Sequence, residues 1–128
     1  LKGNLIKKKF SLKKKRDKLN IKSFYVNHGQ IKSTAYVINK IAYISDTNGI
    51  HNKDFYTLKD LKYLIIDCLK FNLHSSHFNF SQAIEISKKV NAKKTILTNL
   101  HSDLDYRSLK KLLPKNIIPA YDGMVLNL

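Results

Sequence analysis

Cysteine occurs once in this 128-residue sequence, at Cys68, and proline only twice. A lone cysteine excludes an internal disulfide framework and fits a reducing, cytoplasmic setting. No stretch rich in proline, glycine and serine separates one part of the chain from another, and no repeat is present. A single domain over residues 1–128 is therefore expected. No apolar run reaches the ~18 residues that a membrane helix needs. The lysine-rich start lacks the apolar stretch and small-residue cleavage site of a signal peptide. It begins with Leu1, as a fragment or an internal start would.

Acidic residues are scarce as well, 9 against 24 Lys and Arg, so the formal net charge is +15. Two runs concentrate it, Lys7-Lys8-Lys9 and Lys13-Lys14-Lys15-Arg16. Such charge attracts phosphate-rich partners, either nucleic acid or a phosphorylated substrate. A/T-rich coding, which favours Lys, Asn and Ile together, accounts for it equally well. Aromatic residues do not interleave with the lysines, as a single-strand-binding surface requires. With 43% hydrophobic residues the chain is no disordered tail.

Residues 1–18 read as a basic, weakly patterned segment in which Leu5, Ile6 and Phe10 could join a frayed strand. Apolar periodicity predicts a strand over 19–26, broken at Asn27-His28-Gly29, then a hairpin of 34–38 and 41–44 joined by Asn39-Lys40. A short helix is expected over 54–61 and a doubly buried strand over 62–68. Residues 71–80 form a loop carrying His74 and His77. A helix follows over 81–90, with Asn79 and Gln82 spaced as a capping box. Residues 95–98 form another buried strand. Residues 105–113 form a helix stopped by Pro114. Short strands at 117–118 and 124–128 close the chain around Asp122-Gly123. This succession is α/β, a mixed sheet with flanking helices.

Five polar residues after or between these strands suit a hydrolytic metal centre: His28, Asp46, His77, His101 and Asp103. Imidazole nitrogen and carboxylate oxygen ligate zinc, manganese and iron. Taken singly, each is also an ordinary loop residue, and Asp46 could merely stabilise its own turn. No HxxxH, HExxH or CxxC spacing links them.

Several ordered motifs add weight. They are Val26-Asn27-His28-Gly29, Ala42-Tyr43-Ile44-Ser45-Asp46-Thr47-Asn48, Ile65-Ile66-Asp67-Cys68-Leu69 and His74-Ser75-Ser76-His77-Phe78. The stretch from Thr95 through Asn99-Leu100-His101-Ser102-Asp103 to Tyr106, and Pro119-Ala120-Tyr121-Asp122-Gly123-Met124, complete the set. Over about residues 20–128 the chain resembles metallo-β-lactamase-fold hydrolases of the phosphoribosyl 1,2-cyclic phosphodiesterase-like branch. The resemblance implies the C-terminal half of an αββα sandwich and a site for two divalent ions, Zn or Mn. It makes His28 a metal ligand and Asp46 the carboxylate shared by both ions. His77 becomes the general acid or phosphate contact. Asn99 stands where the family carries its last histidine ligand, and an amide oxygen is the weaker donor. His101, two residues on, is the possible substitute.

The family's HxHxDH signature, which supplies most ligands, is absent. His28 and Asp46 alone fall short of the three or four ligands usual for zinc. The expectation is a metal-dependent phosphodiesterase acting on a small cyclic phosphate ester, truncated here and inactive as an isolated chain. Metal occupancy is expected to be low. A complementing N-terminal half is the expected protein partner, because one sheet face would otherwise stay bare. The alternatives are an inactive remnant of such an enzyme and a basic nucleic-acid-binding module.

Overall fold

The computed structural model describes residues 9–13 and 18–127. Seven strands form one mixed sheet whose spatial order is the order of the chain. They are β1 (Lys9–Lys13), β2 (Lys18–His28), β3 (Ile31–Ile38), β4 (Ile41–Ile44), β5 (Tyr63–Asp67), β6 (Lys94–Thr98) and β7 (Ile117–Pro119). Strands β1 to β4 pair antiparallel, and β4 to β7 pair parallel. The switch follows from connection length: tight turns reverse the chain early, whereas parallel neighbours need long crossovers. A 3-10 helix (Asn52–Leu58), α1 (Phe80–Val90) and α2 (Tyr106–Leu112) occupy those crossovers.

Local chemistry accounts for the turns. Gly29 has φ 61° between β2 and β3, and Asn39 has φ 53° between β3 and β4. These are residue types that tolerate the left-handed region. Asn39 Oδ1 also accepts from the Asn20 amide at 3.2 Å. Helix α1 starts with the expected capping box, with Asn79 accepting from Gln82 N and the Gln82 side chain accepting from Asn79 N. It stops at Asn91, φ 53°. Asp105 caps α2 by accepting from Ser108 N. That amide, chiefly, holds its carboxyl below the usual carboxylate range.

The two faces of the sheet differ. Across one face run Val37, Ala42, Leu64, Thr95 and Ile117, one cross-strand row of buried side chains. Leu58 of the 3-10 helix, Ala83 of α1 and Leu109 of α2 share one core cluster with Val37, Ala42, Leu64 and Ile117. Across the other face run Tyr36, Tyr43, Ile65, Ile96 and Ile118. Tyr43 there is 47% exposed.

Three details depart from the sequence expectation. Strand β2 runs through His28 because His28 pairs with Ile31 across the turn. The expected helix over 54–61 is a 3-10 helix that ends at Leu58. Asp60 then takes φ 56° and Leu61 enters the core instead. Residues 124–127 are not a strand. A turn closed by Met124 N on Tyr121 O carries them away from the ladder, and Val125 is 81% exposed. Of the basic segment, residues 9–13 form β1, while 1–8 and 14–17 lie outside the described residues.

Candidate metal centre

The polar residues gather where β2, β4, β5 and β6 end. Thr47 organises the group. It is fully buried, its hydroxyl lies 2.9 Å from the Asn27 carbonyl and its amide 2.8 Å from Asp67 Oδ2. Its carbonyl accepts from Phe78 N at 2.7 Å. One buried threonine thus ties the ends of β2 and β5 to the loop after β5. Asn48 adds a second tie, accepting from Gly29 N and donating to the Ser75 carbonyl.

His28 ends β2, with Nδ1 2.9 Å from the carbonyl oxygen of Ser76. A carbonyl can only accept, so Nδ1 carries the proton and Nε2 keeps its lone pair. Backbone anchoring of this kind usually orients a metal-binding imidazole. Asp46 follows β4 with φ 53°, and its side chain is 61% exposed. It offers an open carboxylate beside His77, at 3.9 Å.

His77 is tied to a residue that the sequence reading left without a role. Its Nδ1 lies 2.7 Å from Oδ2 of Asp67, a carboxylate with no solvent exposure. A buried carboxylate needs donors. Asp67 has three: Thr47 N and His77 Nδ1 on Oδ2, and Asn99 Nδ2 on Oδ1 at 3.0 Å. One signal was present in the sequence. An acid ends the apolar run Tyr63-Leu64-Ile65-Ile66, and acids are almost never fully buried unless paired.

Ligand atoms of Asp46, Asp67 and His77 all lie within 4.8 Å of one another. Hydrogen bonding divides this triad. Asp67 is spent on its three donors, whereas Asp46 and Nε2 of His77 keep free electron pairs. His74 stands close as well, its ring centroid 5.2 Å from that of His77, although its motif suggested no role. His101 is half exposed and faces Asp103 at 3.2 Å. Neither His101 nor His28 belongs to a potential metal-binding group found among the described residues. His51 lies elsewhere, lining a cleft of about 160 Å³ with Lys32, Thr34 and Lys53. Cys68 follows Asp67 but is sealed in the core. Burial first, and the Asp67 charge second, push its thiol up to about 12. It is a packing residue and no nucleophile.

This sheet, with its polar loops at the strand ends, matches about half of the metallo-β-lactamase fold. A diphosphatase from the PhnP family superposes with a TM-score of 0.85 at 25% identity, over 92% of this chain. The metallo-β-lactamase fold protein YhfI from Bacillus subtilis gives 0.71 at 18% over 90%. The short form of human tRNase Z gives 0.66 at 19% over 94%. The chain spans 46%, 51% and 47% of those proteins respectively, about half of each, as expected of a C-terminal half. No family model matches the sequence, and no curated protein does.

Proposed function

We propose that this chain supplies one side of a divalent-metal site that hydrolyses phosphate esters. The observation that carries the reading is the Asp67–His77 hydrogen bond of 2.7 Å, set beside the exposed carboxylate of Asp46. The donor types, one anchored imidazole with a free nitrogen and one open carboxylate, suit zinc or manganese. His28 and Asp46 would hold the metal. A bound ion would supply Lewis-acid stabilisation of charge on a phosphoryl group.

The chain's own residues do the rest. Asp67 holds His77 with its proton on Nδ1, which directs Nε2 outward. Once protonated, Nε2 is placed to give a proton to a leaving alkoxide oxygen. The excess of Lys and Arg draws an anionic substrate towards the protein. A small cyclic phosphodiester is the substrate class we favour, in a reducing, cytoplasmic setting. No helix among the described residues is long and apolar enough to cross a membrane.

The reading makes the isolated chain a weak metal binder without turnover, because His28 and Asp46 are fewer ligands than a dinuclear centre needs. A second, complementing half would supply the others. An inactive remnant is the second reading, because Asn99 stands where the resemblance places a histidine ligand. Binding of nucleic acid is the less favoured reading, since the lysine runs at 7–9 and 13–16 lie outside the motifs and no RNA-binding signature accompanies them.

Paramagnetic Mn²⁺ tests the ligand assignment on the chain as it stands. Substoichiometric Mn²⁺ should broaden the NMR signals of residues 28, 46 and 77 selectively, and Asp46→Ala should remove the effect. Uniform broadening, or none, defeats the proposal. With a complementing half, His77→Ala should lower phosphodiester turnover more than metal content.

A further inference from the structure

We infer that Asn99 is a positioning residue that ties Asp67 to Asp46, and that it is not a vestigial metal ligand. The inference rests on the reading of His28, Asp46 and His77 given above. It assigns the amide a task that the family's histidine could not perform.

The argument begins with the backbone. Asn99 follows β6 with φ 59°, a conformation that Asn and Asp tolerate far better than other residues with a side chain. Its Nδ2 then lies 3.0 Å from Asp67 Oδ1, 3.5 Å from Asp46 Oδ1 and 3.2 Å from His77 Nδ1. An amide nitrogen has two protons and no basic lone pair, so it cannot ligate a metal and can satisfy two acceptors. Exchanging the amide oxygen and nitrogen would set an oxygen 3.0 Å from a buried carboxylate oxygen, two acceptors facing each other. Only the nitrogen-inward orientation is consistent with the network.

Proton counting distributes the bonds. His77 Nδ1 spends its proton on Asp67 Oδ2, the shorter contact at 2.7 Å. It therefore has nothing to accept with, and the 3.2 Å approach of Asn99 to it is proximity only. The two amide protons go to Asp67 Oδ1 and, more weakly, Asp46 Oδ1. Asn99 is thus a neutral bridge between the carboxylate that orients the proton donor and the carboxylate proposed to hold the metal. Without the bridge Asp67 keeps only the two donors on Oδ2 and can rotate away from His77. A histidine at this position would offer a single N–H and, as a ligand, would spend its other nitrogen on metal.

The test reads the His77 ring, not turnover. Two replacements keep the left-handed backbone. Asn99→Asp is isosteric but turns the donor into an acceptor, and Asn99→Gly removes the side chain. In the wild-type chain, ¹⁵N NMR of neutral His77 should show the proton on Nδ1 and hydrogen exchange there should be slow. In both variants that proton should exchange about tenfold faster or more, the loss expected for a hydrogen bond to a charged group. Amide exchange in the core, at Leu64 and Leu97, should be unchanged. A wild-type His77 protonated on Nε2 overturns the inference without any variant. So does slow Nδ1 exchange preserved in either variant.

Mn²⁺ broadening on the same samples separates the two readings. Selective broadening with unchanged His77 exchange defeats the role of Asn99 alone. Faster exchange in the variants, with no selective broadening in the wild type, defeats the metal-site reading alone.

Discussion

The rings of His28 and His77 meet edge to face, with centroids 4.8 Å apart and planes at 73°. Each has its Nδ1 taken by an acceptor, the Ser76 carbonyl for one and Asp67 for the other. Ser76 and His77 are sequence neighbours, so one loop sets the direction of both rings.

That loop leans on Gly29. A Cβ at position 29 would come within 3.2 Å of Ser76 Cβ, at φ 61°. Gly29→Ala is expected to cost about 1 kcal/mol or more in stability. It should also remove selective Mn²⁺ broadening by displacing the Ser76 carbonyl from His28. A urea melt and the NMR titration check the two effects. Unaltered broadening would mean that the ring of His28 does not depend on this contact.

Asp67 is predicted to matter for folding as well as for the site. Asp67→Ala strands the Thr47 amide, the Asn99 amide and His77 Nδ1 in one stroke. A loss of about 3 kcal/mol or more is expected. Asp67→Asn should cost less, since its carbonyl oxygen can still accept. Asp46→Ala, at an exposed side chain, should change stability little. Chemical denaturation of the three variants measures the ranking, and equal losses for Asp46 and Asp67 would contradict it.

Cys68 gives a pH signature. Its thiol is raised from 9.0 to about 12 in the folded chain, by burial and then by Asp67. Above the unfolded value the unfolded chain releases the proton and the folded chain keeps it, so the folded state binds more protons. Stability is therefore intact below about pH 9 and falls as pH rises towards about 12, by up to about 1.4 kcal/mol per unit. Cys68→Ala should flatten this component in alkaline melts. At neutral pH a thiol reagent should label Cys68 only after unfolding.

The second sheet face predicts association. Tyr36, Tyr43, Ile65, Ile96 and Ile118 form an apolar row in which Tyr43 is 47% exposed, Tyr36, Ile65 and Ile118 are half-buried and Ile96 is buried. The apolar area left open around Tyr43 favours contact with another surface. The purified chain should elute above its monomer size and shift downwards on Tyr43→Lys, with its melting temperature nearly unchanged. A wild-type monomer at high concentration would show that the face needs no cover.

The sequence disclosed most of the scaffold, because the scaffold is written in local signals. The Asn79 and Gln82 cap, the Asn39-Lys40 turn and the apolar run of β5 each act within a few residues. The role of Asp67 was hidden, since it depends on partners 10, 20 and 32 residues away. Read along the chain, Asp67 is only the end of a strand. Asn99 was visible by position, yet its amide orientation is decided by carboxylates at the end of β5 and in the loop after β4. The strand expected over 124–128 does not form over its described residues, 124–127, because short apolar alternation says nothing about whether a pairing edge lies within reach.

Strand order identical to chain order has a consequence for biosynthesis. Each new strand finds its sheet neighbour already emerged from the ribosome, so the sheet can grow in one direction without threading. Asn99 leaves last among the residues around Asp67, and the hydrogen-bond network on that carboxylate is completed only when β6 is laid down.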